Sequence, residues 1–424
     1  MCSRLLCKNL TSLPARIGTG RQRTLVRHTN MEPILLITTG VFFACYAVLI
    51  IYYRQCWLQI PVYPGVTKTV ISGMGLLSTK VTIIIPARNE ELHIGNCLQS
   101  ILNQTYPLEL VEIIVVDDYS TDQTALIVQS FNQINIRCLA LEDYVDEKLN
   151  AYKKKAIEIA IAQSSGDLIV TTDADCTMDK NWLLTIAAFY EEYKPAFIAA
   201  PVAIDGRSFL GIFQSLDFMT LQGITGAAVY KKIHSMCNGA NLAYEKKAFY
   251  EVGGFAGIDH IASGDDMLLM HKIYTRYPDR VLFLKSPEAI VTTGAMSNWK
   301  GFFNQRIRWA SKADTYDDKR ILSVLVLVYF FNLLLLLLPI TAIFSNATFS
   351  MGNVNLSIIQ YWLLLLILKT ITELFFLFPV AAFFNKKKSL WWFPMAQPFH
   401  ILYTIIAGWL GKFGSYKWKQ RSVK

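Results

Sequence analysis

Four long apolar segments limit what this chain of 424 residues can fold into. Each contains about 20 or more mainly apolar residues, the length that a helix needs to cross the hydrocarbon core of a bilayer. With 53% hydrophobic residues overall, the chain is too apolar for an ordinary soluble protein, so we predict an integral membrane protein. The four segments are residues 33–53, 321–344, 358–384 and 390–411.

The fourth segment is the least regular. It contains Pro394, Pro398 and His400, so it is either a kinked membrane-spanning helix or a re-entrant segment. The lysines at 386–388 directly before it are expected on the cytosolic side, because cytoplasmic loops are enriched in basic residues. One more full crossing would place the basic tail, residues 412–424, on the opposite side, which favours the re-entrant alternative.

The basic residues lie mainly beside the apolar segments, and the net charge is +9. This pattern is typical of contact with a membrane surface and argues against nucleic acid as a partner. Residues 1–30 form a basic leader without acidic residues. This leader is either absent from a mature chain that begins at Met31, the alternative we favour, or a targeting segment. The eight cysteines lack paired spacing, which predicts reduced thiols in a cytosolic compartment.

Residues 80–312 alternate strand-like and helix-like patterns. Apolar, β-branched runs such as residues 81–85 and 111–116 are each followed by a polar turn and a segment of helical length. This alternation predicts βαβ units, and therefore an α/β domain with a mostly parallel sheet. Residues 54–79 are expected to link this domain to the first membrane segment.

Polar and acidic residues follow three of the predicted strands. Ligands of open α/β sheets bind at the carboxyl edge, where the ends of parallel strands meet. If the chain remains extended after 168–171, the last acidic pair projects to one side, and both carboxylates can face one divalent cation. Together the strand ends suit a nucleoside diphosphate held through that cation. The residues are Arg88 and Glu90, Asp117 and Asp118, and Asp173 and Asp175.

Five short motifs add a resemblance to this pattern. The stretch from Val81 to Trp309 resembles the family 2 glycosyltransferases, which are inverting enzymes of the GT-A fold, and the apolar segments resemble those of its membrane-bound members. The resemblance implies a Rossmann-like, mostly parallel sheet flanked by one N-terminal and two to three C-terminal transmembrane helices. The motifs are Ile-Ile-Pro-Ala-Arg-Asn-Glu (84–90), Val-Val-Asp-Asp-Tyr-Ser (115–120), Thr-Asp-Ala-Asp (172–175), Ser-Gly-Asp-Asp (263–266) and Gln-Arg-Ile-Arg-Trp (305–309).

The resemblance implies a nucleotide-sugar donor at the acidic strand ends. Asp118 would accept hydrogen bonds from the base or the ribose, since a carboxylate only accepts. Asp173 and Asp175 would hold Mg²⁺ or Mn²⁺, hard ions that prefer oxygen ligands. The basic residue of the family falls within 153–155, which could also be a solvated helix face. The implied donor-binding residues are Pro86, Arg88, Glu90, Asp117, Asp118, Lys155 and Asp173.

The two later motifs would supply the chemistry. Asp266 would be the general base that takes the proton of the acceptor hydroxyl, and one base suffices for an inverting displacement. Arg308 would neutralise the leaving phosphate, and Trp309 would stack on the acceptor sugar. Gln305 completes this catalytic set. Arg306 falls at a variable position of the family's motif, Gln-x-x-Arg-Trp, and is therefore expected to be a surface charge. The implied acceptor-binding residues are Asn241, Asp265 and Trp309.

Some of these residues have a simpler structural interpretation. Asp117 or Asp118 could cap the following helix, and Asp265 could merely orient its neighbour. Gly239 and Asn241 could form a turn without any ligand contact.

Three other functions share parts of the pattern. The last motif is associated with processive polysaccharide synthases, but two or three C-terminal apolar segments are few for a translocating channel. We therefore favour transfer of one or a few sugars to a lipid or envelope glycan at the cytosolic face of the cell (inner) membrane. A nucleotide-regulated transporter would explain Lys369 and Glu373 inside an apolar segment, but would not need the base Asp266. A cation-dependent nucleotidyltransferase would release pyrophosphate.

Overall fold

The computed structural model describes residues 31–64, 77–145, 149–312, 318–345, 348–351, 354–414, 416–418 and 421–423. The basic leader, residues 1–30, lies outside the described residues, as do parts of the linker and of the basic tail.

The described part of the α/β domain contains ten strands. They are β1 (Val81–Ala87), β2 (Val111–Asp117), β3 (Ile136–Ala140), β4 (Leu168–Thr171), β5 (Cys176–Met178), β6 (Phe197–Ala199), β7 (Val202–Asp205), β8 (Leu242–Glu245), β9 (Val281–Phe283) and β10 (Val291–Gly294). Seven of them form the central sheet in the order β3-β2-β1-β4-β8-β6-β9, and the other three form a small sheet in the order β5-β10-β7.

The central sheet is mostly parallel, as the alternating pattern predicts. The strands β1, β2, β3 and β4 run parallel to one another, whereas β8 runs antiparallel to both of its neighbours, β4 and β6. The register places Ala87 opposite Asp117 and Ile84 opposite Thr171. The carboxyl ends of β1, β2 and β4 therefore meet at one edge, where the predicted acidic residues follow.

Continuous apolar strands arise because both faces of the sheet are covered. Ile83, Ile84 and Ile85 are all fully buried, although alternate residues point to opposite faces. The helices of the α/β domain follow the N-terminal helix α1 (Met31–Gln59) in the chain. They are α2 (Ile94–Leu102), α3 (Thr124–Ser130), α4 (Tyr152–Gln163), α5 (Trp182–Tyr193), α6 (Phe209–Lys231), α7 (Lys246–Glu251), α8 (Asp265–Arg276) and α9 (Trp299–Ala310).

Three of the described helices are long and apolar enough to cross a membrane: α1, α10 (Arg320–Phe344) and α11 (Ile358–Phe383). The fourth apolar segment forms α12 (Phe393–Phe413), which is not among these three. One N-terminal and two C-terminal spans therefore satisfy the prediction. The described residues also include two short hairpins: β11 (Thr348–Met351) with β12 (Val354–Ser357), and β13 (Tyr416–Trp418) with β14 (Arg421–Val423).

The three candidate spans each have one end at the α/β domain. Lys285 of the domain donates a hydrogen bond to the carbonyl oxygen of Trp57, near the end of α1, at 2.8 Å. Arg320, the first residue of α10, donates to the carbonyl oxygen that follows α6 at 2.9 Å. Lys386, just after α11, donates to the carbonyl oxygen of Ile204 at 2.6 Å. The α/β domain therefore sits at one end of the helix bundle.

Lys369 and Glu373 form an ion pair within α11. Lys369 is fully buried, and its Nζ lies 2.7 Å from Glu373 Oε1 and 2.7 Å from Gln397 Oε1. Tyr46 of α1 also donates its hydroxyl to Glu373. These charges therefore bind one another and neighbouring helices, which explains their presence in an apolar segment without a transported ion.

Candidate active site

The loops that follow β1 and β2 are joined by hydrogen bonds. Arg88 Nη1 donates to the carbonyl oxygens of Asp118 and Tyr119 at 2.6 and 2.9 Å. The backbone N–H of Asn89 donates to Ser120 Oγ at 2.9 Å. Asn89 and Tyr119 both have positive φ, 49° and 54°, so the two loops turn sharply and stay together at the sheet edge.

Asp117 and Asp118 lie at the end of β2. Asp118 is 3% exposed, and its backbone N–H donates to the carbonyl oxygen of Ala87 at 2.8 Å. Asp117 Oδ2 accepts from the backbone N–H of Ser120 at 3.3 Å, whereas its buried Oδ1 has no hydrogen-bond partner among the described residues. The N-cap of α3 is Gln123, so neither aspartate caps that helix.

Asp173 and Asp175 follow β4, but the chain does not remain extended. The backbone N–H of Cys176 donates to the carbonyl oxygen of Asp173 at 3.2 Å, which closes a turn. The side chains of Asp173 and Asp175 therefore do not project to the same side of an extended strand. Asp175 Oδ2 instead accepts from Thr293 Oγ1 on β10 at 3.1 Å, a partner that no local sequence pattern reveals.

Lys153 is the cation at the centre of the site. Its Nζ lies 2.7 Å from Asp173 Oδ1 and 3.3 Å from Asp265 Oδ2. Burial alone would lower the pKa of Lys153, but these carboxylates raise it above its ordinary value, so the ammonium stays charged. Lys153 therefore joins the acidic end of β4 to the start of α8.

The structure does not bring Lys155, the lysine assigned from the sequence, to these carboxylates. Lys155 Nζ lies 2.8 Å from Glu158 on the outer face of α4, where both side chains are over 40% exposed. Lys154 points into the domain and donates to three carbonyl oxygens of residues 258–263, and burial lowers the pKa of this group to about 8. Each lysine of the run thus faces a different environment, since successive helical residues differ by about 100°.

Asp265 and Asp266 form the first turn of α8. Asp266 Oδ2 accepts from the backbone N–H of Gly239 at 3.1 Å, and its Oδ1 accepts from the backbone N–H of Met267 at 2.8 Å. Burial would raise the pKa of Asp265, but Lys153 holds it below its ordinary value. Asp265 therefore pairs with Lys153 as a carboxylate, instead of acting only as a neighbour of Asp266.

Gly239 lies where these charged groups converge. A Cβ atom at this position would be 3.3 Å from Lys153 Nζ, 3.4 Å from Asp265 Oδ2 and 3.7 Å from Asp266 Cβ. The absence of a side chain thus lets the backbone N–H approach Asp266 closely.

Asn241 does not reach the site as an acceptor ligand. Its side chain is fully buried and accepts a hydrogen bond from Trp182 Nε1 at 3.0 Å. Its Nδ2 donates to the carbonyl oxygens of Pro201 and Ala289, both at 2.8 Å. In this structure the polar atoms of this side chain therefore hold the core together, and its assignment to acceptor binding stays a prediction.

The Gln-Arg-Ile-Arg-Trp motif forms the last two turns of α9. The ring of Trp309 lies 5.8 Å from that of Phe218 on α6, and Gln305 Oε1 accepts from Arg306 Nη1 at 3.2 Å. Arg306 is not the surface charge that we expected, because its side chain is 3% exposed and lies 2.8 Å from Asp217. Arg308 is partly buried.

Among the described residues, no group of three or more His, Cys, Asp or Glu side chains could hold a metal ion. Asp173 and Asp175 fit a different kind of site. A Mg²⁺ ion commonly uses one or two carboxylates and takes its remaining ligands from water and substrate phosphates. The side chain of Asp173 is 38% exposed, so it remains accessible from solvent.

Comparison with known proteins agrees with the motifs. The sequence matches the family described as Glycosyl transferase family 2 over residues 82–253. It also matches Glycosyl transferase family group 2 over residues 168–385, more than half of the chain. It is 30% identical to the probable glycosyltransferase YdaM of Bacillus subtilis over 54% of each chain. It is 27% identical to an N-acetylglucosaminyltransferase of Sinorhizobium fredii over 65% of this chain and 68% of that protein.

The chain spans about half the length of YdaM, and less of some other curated relatives, including a third of GlyA of Streptococcus pneumoniae. Among solved structures, the fold is similar to that of a mannosyltransferase from Pyrobaculum calidifontis in complex with GDP-Man and Mn²⁺. That likeness has a TM-score of 0.53 at 18% identity and covers 87% of this chain and 98% of that one. This chain therefore belongs to glycosyl transferase family 2, and its α/β domain has the GT-A fold.

Proposed function

We propose that the protein transfers a hexose from a nucleoside-diphosphate sugar to a hydroxyl group of a lipid or envelope glycan, with inversion at the anomeric carbon. The observation that carries the proposal is the convergence of Asp173, Lys153, Asp265 and Asp266 around the backbone of Gly239. Four charged side chains from three segments meet at the sheet edge where α/β folds bind nucleotides.

The donor would lie across the ends of β1, β2 and β4. The buried Oδ1 of Asp117, which has no hydrogen-bond partner within the described part of the chain, is an acceptor that a ribose or base donor could satisfy. Asp118 is its neighbour in the chain, and Arg88 and Glu90 belong to the loop after β1 that is hydrogen-bonded to the loop after β2. Pro86 would line the same edge of the sheet. Lys153, in place of Lys155, would attract the diphosphate as a permanent cation.

Mg²⁺ or Mn²⁺ fits the carboxylates of Asp173 and Asp175. When bound there with the diphosphate, the ion would neutralise the charge that develops on the leaving group. The ammonium group of Lys153 lies 2.7 Å from Asp173 Oδ1 and partly balances its charge. Arg308 would supply a second positive charge from α9.

Asp266 would act as the general base. Its two hydrogen bonds from backbone N–H groups fix the orientation of the carboxylate and still leave lone pairs for an acceptor hydroxyl. As the hydroxyl oxygen bonds to the anomeric carbon, its proton passes to Asp266, and the bond from that carbon to the nucleoside diphosphate breaks. Trp309 and Gln305 would bind the acceptor.

The bundle of α1, α10 and α11 would hold this site next to the membrane, on the cytosolic side where nucleotide sugars are available. The alternative of a processive synthase shares this chemistry and differs in product length. The transporter alternative loses its main support, because Lys369 and Glu373 bind each other and Gln397 inside the bundle.

A donor screen tests the proposal. Membranes containing the protein would be incubated with labelled UDP-glucose, UDP-N-acetylglucosamine or GDP-mannose, with Mn²⁺ or with EDTA. We expect label from one donor to enter the lipid or glycan fraction, and EDTA to abolish this incorporation. Release of pyrophosphate from a nucleoside triphosphate, without sugar transfer, would contradict the proposal and favour a nucleotidyltransferase. A ladder of long polymers would favour the processive alternative.

A further inference from the structure

The least expected feature of the Gln-Arg-Ile-Arg-Trp motif is a buried ion pair made by Arg306, next to Trp309. Arg306 Nη2 lies 2.8 Å from Asp217 Oδ2, and the two side chains are 3% and 4% exposed. Asp217 belongs to α6, whereas Arg306 belongs to α9, so the pair joins two helices that are far apart in the sequence.

Arg306 also contacts aromatic rings on both sides. Its guanidinium carbon lies 4.2 Å from the ring centroid of Trp309 and 4.8 Å from that of Phe302. The Trp309 ring packs in turn against Phe218, the residue after Asp217. Trp309 is therefore held between a cation on its own helix and an aromatic ring on α6.

The ion pair extends to α12, the helix that follows the membrane spans. Tyr403 of α12 donates its hydroxyl to Asp217, and His400 Nε2 lies 3.8 Å from Asp217 Oδ1. The Tyr403 ring packs against Phe302 at 5.2 Å. Three helices thus meet at one buried carboxylate.

Stability alone is a weak reason to keep such a pair. Removing both charges from water costs as much as their attraction returns in many proteins, and apolar replacement of both partners is often neutral or stabilising. Removing one partner, in contrast, leaves an unpaired buried charge. The presence of this pair therefore calls for an explanation other than stability.

We propose that Arg306 is a positioning residue, which acts with Asp217 to hold the Trp309 ring in the orientation that binds the acceptor. This inference rests on the proposed function, because it takes Trp309 as an acceptor contact. Arg306 itself touches neither donor nor acceptor in this arrangement, and it lies outside the positions that the family motif matches.

The test compares sugar transfer with hydrolysis of the same donor by water. With the donor identified in the screen, Arg306→Met should reduce transfer to the membrane fraction by about tenfold or more, while hydrolysis stays within about twofold. Arg306→Lys should recover part of the transfer, since it restores the charge but not the planar stack. Arg280→Met is the matched control, because Arg280 forms an ion pair with Glu245 at 2.7 Å elsewhere in the domain.

A double variant separates positioning from stability. Asp217→Asn with Arg306→Met should regain the melting temperature lost by Arg306→Met, because no unpaired buried charge remains, but should not regain transfer. In a Trp309→Leu background, Arg306→Met should add little further loss, since residues that act through one another are not additive.

Three results would overturn the inference. The first is recovery of transfer by the double variant, and the second is an equal fall of transfer and hydrolysis in Arg306→Met. The third is a Trp309→Leu background in which Arg306→Met lowers transfer by the same factor as it does in the wild type. A wild-type protein that transfers no sugar from any donor would instead remove the proposed function, and the inference with it.

Discussion

Asn241 gives the sharpest prediction about stability. Asn241→Ala removes three buried hydrogen bonds, made with Trp182 Nε1 and with the carbonyl oxygens of Pro201 and Ala289. The Pro201 oxygen retains a hydrogen bond from the backbone N–H of Val291 at 3.1 Å. The Trp182 N–H and the Ala289 oxygen both belong to fully buried residues and would lose the contact.

Leaving a buried donor or acceptor unsatisfied costs about 1–3 kcal/mol, so the two groups together cost about 2–6 kcal/mol. A natural domain is stable by about 5–15 kcal/mol, and a domain of this size loses about 2–4 °C of melting temperature per kcal/mol. We therefore expect Asn241→Ala to lower the melting temperature by about 10 °C.

The assay is thermal unfolding of the full chain in detergent, with Asn238→Ala as the control. Asn238 Oδ1 accepts one hydrogen bond, from the backbone N–H of Ala240, so its loss should lower the melting temperature much less. If Asn241→Ala has the melting temperature of the wild type but no longer transfers sugar, the structural role is refuted and the assignment to acceptor binding is supported.

Two further predictions concern charge. Lys153→Met should reduce sugar transfer by about 100-fold, because it removes the cation between Asp173 and Asp265. Lys155→Met is the control and should change transfer by no more than about twofold, since Lys155 pairs with Glu158 on the outer face of α4. Equal losses in the two variants would contradict the assignment of Lys153 as the lysine of the site. Burial lowers the pKa of His234 from 6.5 to about 4. Between these two pH values the unfolded chain therefore binds a proton at this histidine that the folded chain does not. The free energy of unfolding should fall by up to about 3 kcal/mol as the pH drops from 6.5 to 4. His234→Gln should lose this part of the pH dependence in thermal unfolding, and the exposed His260→Gln should keep it; an unchanged His234→Gln profile would contradict the assignment.

The sheet and its acidic edge follow from local sequence patterns. Apolar strands such as β1 and β2 are continuous runs bounded by polar turns, and parallel pairing then places their ends together without further information. Asp117 and Asp173 could therefore be assigned to one edge of the sheet before the structure was known.

Contacts between distant segments could not be predicted in the same way. Nothing in the run 153–155 indicates which lysine faces Asp173, because that depends on how α4 packs on the sheet. The partner of Arg306 is Asp217, on another helix, so its burial has no local pattern. Asn241 is similar, since its three partners come from residues 182, 201 and 289.

The turn after β4 could not be predicted from the alternation of side chains along a strand. A side-chain period of two applies only while a strand continues, and the hydrogen bond from Cys176 to Asp173 ends it. The two carboxylates still follow one strand, but they reach different partners, Lys153 and Thr293.

The most direct test of the account is Asp266→Asn, with sugar transfer and donor binding measured on the same preparation. We expect transfer to fall by about 1,000-fold, the scale of a lost general base, while the dissociation constant of the donor with Mn²⁺ stays within about twofold. Asp259→Asn is the control, because that side chain is 72% exposed and belongs to the segment that precedes α8. Transfer at the wild-type rate by Asp266→Asn would contradict the assignment of the base, and with it the mechanism proposed for this site.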